Sequence, residues 1–155
     1  FVEAAVAEEF TAMLVAQMSA VHVGGGFEAG VGCGPLINQR ALDKTQRLVD
    51  AAVRDGARVA TGGGAVDRAG FFFAPTVLTD VVPGSAVTRE ELFAPVAPIV
   101  TFEGDDELLR WANDTEMGLA GYLYGRDLSR TLRLADGPDE VHRRQVARQE
   151  IARHI

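Results

Sequence analysis

Two adjacent carboxylates, Glu90 and Glu91, stand in the stretch TREELFAPVAP at residues 88–98. Like charges side by side repel, so the pair is costly unless a neighbour uses at least one of them. Phe93, Pro95 and Pro98 follow, restricting the backbone and offering a flat apolar face. A carboxylate on a stiff, partly apolar loop suits bidentate acceptance from the paired hydroxyls of a ligand. It also suits a general base where a substrate proton lies within reach. Residue chemistry alone leaves both uses open, beside that of a pair of solvent-facing acids.

The other candidates carry less chemistry. GGGFEAGVGCG, residues 24–34, lacks the GxGxxG order, a helix opening directly on it and a suitably placed later carboxylate. It also lacks the GK[ST] of a phosphate-binding loop and reads as tight turns. Cys33 would need an adjacent base to act as a nucleophile, and His22, eleven residues earlier, is not placed beside it by sequence. GCGPLIN reads instead as a glycine-bounded turn with a structural cysteine. His142 and His154 lie twelve apart, without ligand spacing, and Asp105-Asp106 reads as an acidic helix start rather than a cation site. No metal site is expected.

These residues need a scaffold, and 155 residues are enough for one hydrophobic core. The composition is that of a water-soluble globular chain, 47% hydrophobic and 24% charged, and its apolar runs are far too short to cross a bilayer. A net charge of −7 opposes nonspecific binding to nucleic acid. The charge is uneven: residues 133–155 hold five arginines against four acids, and two of the three histidines. A single cysteine excludes an intrachain disulfide and fits a reducing, cytoplasmic setting. FVEAAVAEEF shows no signal-peptide pattern and no initiator methionine, which suggests a chain cut from something longer.

Apolar spacing predicts a strand end at residues 1–2 and a helix over 4–18, carried by Val6, Phe10, Met13 and Leu14. A second helix is expected over 40–55, with Ala41, Leu42, Leu48, Val49, Ala52 and Val53 inward, and Lys44, Arg47 and Arg54 in water. Gly56 should stop it. Extended segments are expected at 59–61, 71–73 and 77–78, then a stronger strand over 96–102, with Pro98 favouring an edge. A helix over 105–111, a strand over 119–125 and a helix from 127 complete the pattern. Alternating helices and strands point to an α/β fold, three-layered, with a largely parallel sheet covered by helices.

Three stretches, GCGPLINQRALDKTQRLVDAAVRDGARVATGG, GFFFAPTVLTDVVPGSAVTREELFAPVAPIVTF and WANDTEMGLAGYLYGRD, resemble the aldehyde dehydrogenase superfamily. The branch they resemble most is that of succinate-semialdehyde dehydrogenases. The resemblance covers residues 1–132 and implies an incomplete aldehyde dehydrogenase catalytic domain. The family's E-x-F-G-P motif falls on Glu91, Phe93, Ala94 and Pro95. It implies that Glu91 accepts hydrogen bonds from the ribose hydroxyls of NAD or NADP, that Phe93 borders the nicotinamide ring and that Glu90 is structural. The family glycine is Ala94 here, a cost if that backbone needs a positive φ or a close cofactor approach.

The same resemblance puts the nucleophilic cysteine, in a G-Q-x-C context, just ahead of the segment matching Phe1-Val2. The general-base glutamate and the Rossmann domain lie earlier still. No catalytic residue is therefore assigned within the chain, which is expected to be inactive alone. Its implied partners are those missing N-terminal segments, a small aldehyde (a semialdehyde in this branch) and further copies of itself in a homo-oligomer, with no nucleic acid and no membrane.

The tail from residue 133 resembles the C-terminal segment of acyl-CoA dehydrogenases, through DGPDEVHRRQVARQEIARHI. Asp136 matches that family's catalytic-base position, and Gly137, Pro138 and Glu140 its turn and helix start near FAD. One helix cannot build a flavin site, so FAD is not expected and Asp136 is not expected to be catalytic. A non-catalytic α/β interaction or structural remnant, or an acyl-CoA dehydrogenase-related flavoprotein remnant, are the alternative readings.

Overall fold

The structure, a computed structural model, describes residues 1–115 and 121–136. The chain runs through β1 (Val2–Glu3), α1 (Ala4–Ser19), α2 (Gln39–Arg54), β2 (Arg58–Thr61), β3 (Thr76–Thr79), α3 (Ala86–Arg89), β4 (Val96–Pro98), β5 (Thr101–Phe102), α4 (Asp105–Asn113) and α5 (Leu128–Asp136). Two compact units divide it, residues 1–114 and 115–155. The compositional change near residue 133 falls inside the second.

In the first unit the architecture is mixed α/β. β1 pairs with β5 in parallel, with Val2 opposite Thr101; β2–β3–β4 form a second sheet in which β2 is antiparallel to β3 and β4 parallel to it. The strand expected over 96–102 is real as an extended segment but changes partner midway. Its first half lies along β3, where Ile99 N–H donates to the Leu78 carbonyl at 2.8 Å. Its second half lies along β1, where Val2 N–H donates to Val100 O at 2.9 Å. Pro98, which has no N–H to give, sits where the first ladder ends.

α2 organises the core. Asn38 caps it, its side-chain oxygen accepting from Ala41 N–H at 2.9 Å, and Gly56 ends it with φ 110°. Leu48, Val49 and Ala52 form its buried stripe, packed with Phe73, Leu78, Val81, Val87 and Val100. Val53, expected inward, is exposed: it lies one residue beyond the stripe, past the edge of its arc. Buried Thr76 is satisfied twice, donating to Ala74 O at 2.7 Å and accepting from Gly63 N–H at 2.8 Å. Gly62 makes that turn with φ 73°, where a Cβ would collide with the Pro75 carbonyl.

α1 differs in kind. Ala7, Thr11, Leu14, Val15 and Met18 are half-buried, while Val6, Phe10 and Met13 stand exposed on another face at helical spacing; no residue of the helix is fully buried. The one-turn α3 is too short for periodicity to reveal. α4 begins as its acids foretold, with Asp105, Asp106 and Glu107 in the first turn and Glu107 Oε2 accepting from Glu103 N–H at 3.1 Å.

In the second unit, the strand expected over 119–125 is not formed at residues 121–125, which carry no regular structure; residues 119 and 120 lie outside the described residues. Gly121 and Gly125 bracket the stretch, and no strand among the described residues pairs with it. α5 is capped by Asp127, whose carboxylate accepts from Arg130 N–H at 3.1 Å. The tail from residue 137 on, with Gly137, Pro138 and Glu140, lies outside the described residues, as do the side chains of Arg133 and Asp136.

Phe73, 1% exposed, is the largest fully buried side chain among the described residues. Phe73→Ala is expected to destabilise the chain by about 3–5 kcal/mol, read as a lower denaturation midpoint in urea.

Candidate functional site

The site begins where α3 ends. Glu90 leaves the helix in an extended conformation, φ −90° and ψ 133°, its N–H still bonded to Ala86 O at 2.9 Å. From there side chains alternate: Glu91 out, Leu92 in, Phe93 out, Ala94 in. Leu92 and Ala94 pack against the core cluster. Glu91 and Phe93 therefore project on the opposite side, two residues apart, as in an extended chain. Phe93 is 84% exposed, and among the described residues no hydrogen bond or ion pair engages the Glu91 carboxylate. The segment then joins β4, with Thr76 N–H bonded to Pro95 O at 2.8 Å.

The two adjacent acids are thus separated in use. Glu90 turns to α2 and is gripped by Arg47, whose Nη1 and Nη2 donate to its two carboxylate oxygens at 3.2 and 2.7 Å. This hydrogen-bonded guanidinium holds the Glu90 carboxyl below the usual glutamate range and raises Arg47 in return. One turn away, Lys44 Nζ donates to the Glu91 backbone carbonyl at 2.6 Å. Arg47 is exposed, as expected, and Lys44 half-buried, and both also reach the loop; with Arg40, Asp43 and Glu90 they line a shallow groove of about 440 Å³. The signal was present in the sequence: a like-charged pair needs a cation, and α2 carries four, Arg40, Lys44, Arg47 and Arg54, with Lys44 and Arg47 three residues apart.

A ribose diol offers two hydroxyl donors and a nicotinamide offers a flat ring. A free carboxylate beside an exposed aromatic ring fits both. The substitution at Ala94 does not oppose this. Asp80 is the one non-glycine residue with positive φ among the described residues, so the Ala94 backbone makes no demand for glycine, and its methyl lies on the core side.

Cys33 lies beside the His22 backbone, its N–H donating to His22 O at 3.2 Å, yet its thiol contacts only the Gly34 carbonyl at 3.6 Å. Among the described residues no imidazole base activates it. Among the described residues no cluster of His, Cys, Asp or Glu could hold a metal ion, and no helix is long and apolar enough to cross a membrane.

The first unit is thus a mixed α/β unit that presents Glu-x-Phe-Ala-Pro on the outside of a core-anchored loop. Residues 1–139 match the aldehyde dehydrogenase family, and the chain belongs to it. It is 46% identical over 135 residues to succinate-semialdehyde dehydrogenase of Paenarthrobacter nicotinovorans, covering 87% of this chain and 30% of that protein. With the NADP(+) succinate-semialdehyde dehydrogenase of Escherichia coli K12 it shares 42% identity over 136 residues, 88% of this chain and 28% of the relative. The crystal structure of succinate-semialdehyde dehydrogenase from Burkholderia pseudomallei superposes with a TM-score of 0.85 at 45% identity, covering 88% of this chain and 28% of that one. The chain therefore spans 28–30% of the length of these relatives.

Because Glu90 is ionised more readily when paired, its ion pair is fully present above the ordinary glutamate range. It is lost as pH falls through the lowered value. An NMR titration of the Glu90 carboxyl carbon should show this low midpoint, and Arg47→Gln should move it upward toward the ordinary range.

Proposed function

We propose that this chain is the nicotinamide-side wall of an NAD- or NADP-dependent dehydrogenase that oxidises an aldehyde, a semialdehyde in this branch, to a carboxylic acid. The observation that carries the reading is the outward pair on a core-anchored loop, with the Glu91 carboxylate free and the Phe93 ring exposed. Glu91 accepts from the ribose hydroxyls and so fixes the rotation of the sugar; Phe93 borders the nicotinamide ring and screens it from water. When bound, the dinucleotide supplies the hydride acceptor. The Escherichia coli relative is named for NADP(+), and family membership supports a nicotinamide cofactor without choosing between the two.

The chain is proposed to be inactive alone, acting with the remainder of the family polypeptide, which would supply the nucleophilic thiolate and the general base. Within the described residues Cys33 lacks an activating base, which supports that division. The outward row of Val6, Phe10 and Met13 on α1 supports a covering partner segment, since a helix apolar on two faces is usually buried on both. We propose a cytoplasmic setting, and retain a division of the chain at residue 132, with the tail beyond it outside the dehydrogenase wall.

The test is a chimera in which residues 1–132 replace the matching part of the Escherichia coli relative. It should oxidise succinate semialdehyde with NADP+, whereas the 155-residue chain alone should not. In the chimera, Glu91→Gln should lower kcat/KM for the nucleotide by about 10- to 100-fold, the loss expected for a charge-assisted hydrogen bond. An unchanged kcat/KM would remove Glu91 from the cofactor site. Phe10→Glu should leave the chimera insoluble or inactive if α1 is covered, and fully active if that face meets only water.

A further inference from the structure

The backbone that carries Glu91 and Phe93 is poorly held by its own hydrogen bonds. Among the described residues, Glu91, Leu92 and Phe93 make no backbone–backbone hydrogen bond. The nearest ties are Glu90 N–H to Ala86 O before them, and Val96 N–H to Ala94 O at 2.8 Å after them. Leu92 and Ala94 fix the depth of the segment through packing. Packing alone leaves the peptide planes free to rotate, and with them the directions of the two outward side chains.

We propose that Lys44 and Arg47 of α2 are positioning residues that lock this loop: Lys44 by holding the Glu91 carbonyl, Arg47 by clamping Glu90. The inference rests on the cofactor reading of Glu91 and Phe93. Lys44 fixes the Glu91–Leu92 peptide plane through one short bond of 2.6 Å, which leaves the Glu91 carboxylate free. Arg47 grips the preceding residue with two bonds, and a planar fork on a planar carboxylate resists rotation as a single bond does not. The two cations sit three apart on one helix face, so one rigid element holds both ends of the Glu90–Glu91 pair.

Energetics support a geometric use. The Arg47 and Glu90 side chains are 53% and 41% exposed, and such pairs add little to global stability. What an exposed bidentate clamp does supply is direction. The groove beside it, lined also by Arg40 and Asp43, keeps a surplus of positive charge near the loop. That surplus favours the carboxylate form of Glu90.

The experiment uses the whole 155-residue chain with Lys44→Met, Arg47→Gln and the double variant, and Lys44→Arg and Arg47→Lys as conservative controls. Three quantities are read: the melting temperature, NMR order parameters of the backbone amides at 91–94 without ligand, and NMR shifts on titration with nicotinamide mononucleotide. The order parameters of the double variant should fall at 91–94 alone, from about 0.85 toward about 0.6, with an almost unchanged melting temperature. Nicotinamide mononucleotide should bind it about tenfold more weakly, and the conservative variants should recover part of both losses. Unchanged order parameters at 91–94, or lower ones throughout with a lower melting temperature, would overturn the proposal. Local loosening in a chain whose unsubstituted form shows no shifts with the mononucleotide would sustain the lock and sink the cofactor reading instead.

Discussion

The buried stripe of Leu48, Val49 and Ala52 along α2 is the contact from which the rest of the first unit takes its order. It meets Phe73 and Leu78 from below the sheet and Val87 from the turn that leads to the site. Because the helix is capped at Asn38 and stopped at Gly56, its rotation is set, and so is the direction of its polar side. That polar side carries Lys44 and Arg47. One helix thus builds the core with one face and reaches the glutamate loop with another, so the position of the loop follows from the packing of the core.

Much of this was legible because it is periodic. The boundaries of α1 and α2, the start of α4 and the extended character of 59–61 follow from apolar spacing and from Asn, Gly and acidic residues at helix ends. What escaped was either too short or too distant. α3 is one turn. The split of 96–102 between two partners depends on which strands lie alongside, and nothing local in VAPIVTF records that. The grip on Glu90 and Glu91 spans 43 and 47 residues of sequence, so it could be suspected from the repulsion of the pair but not assigned.

The candidate site itself was legible by a different route. Glu91 and Phe93 stood out through their resemblance to a family motif, whereas chemistry alone left the acids undecided. The structure adds how the two come to face the same way: Leu92 and Ala94 pack against the core and turn their neighbours outward. The acids also acquire different fates, Glu90 tied to a guanidinium and Glu91 left with its carboxylate free. The chain belongs to the family over residues 1–139 and spans 28–30% of the length of its relatives.

Ala94 bears on how such chains are recognised. A search pattern that insists on glycine there treats the position as a conformational necessity. On this backbone the residue lies outside the left-handed region and its methyl points toward apolar neighbours. The durable signature is then an in–out rhythm, an acid and an aromatic outward, two small or aliphatic residues inward, a proline closing. Diverged members that changed the glycine while keeping that rhythm would be missed by letter and found by pattern.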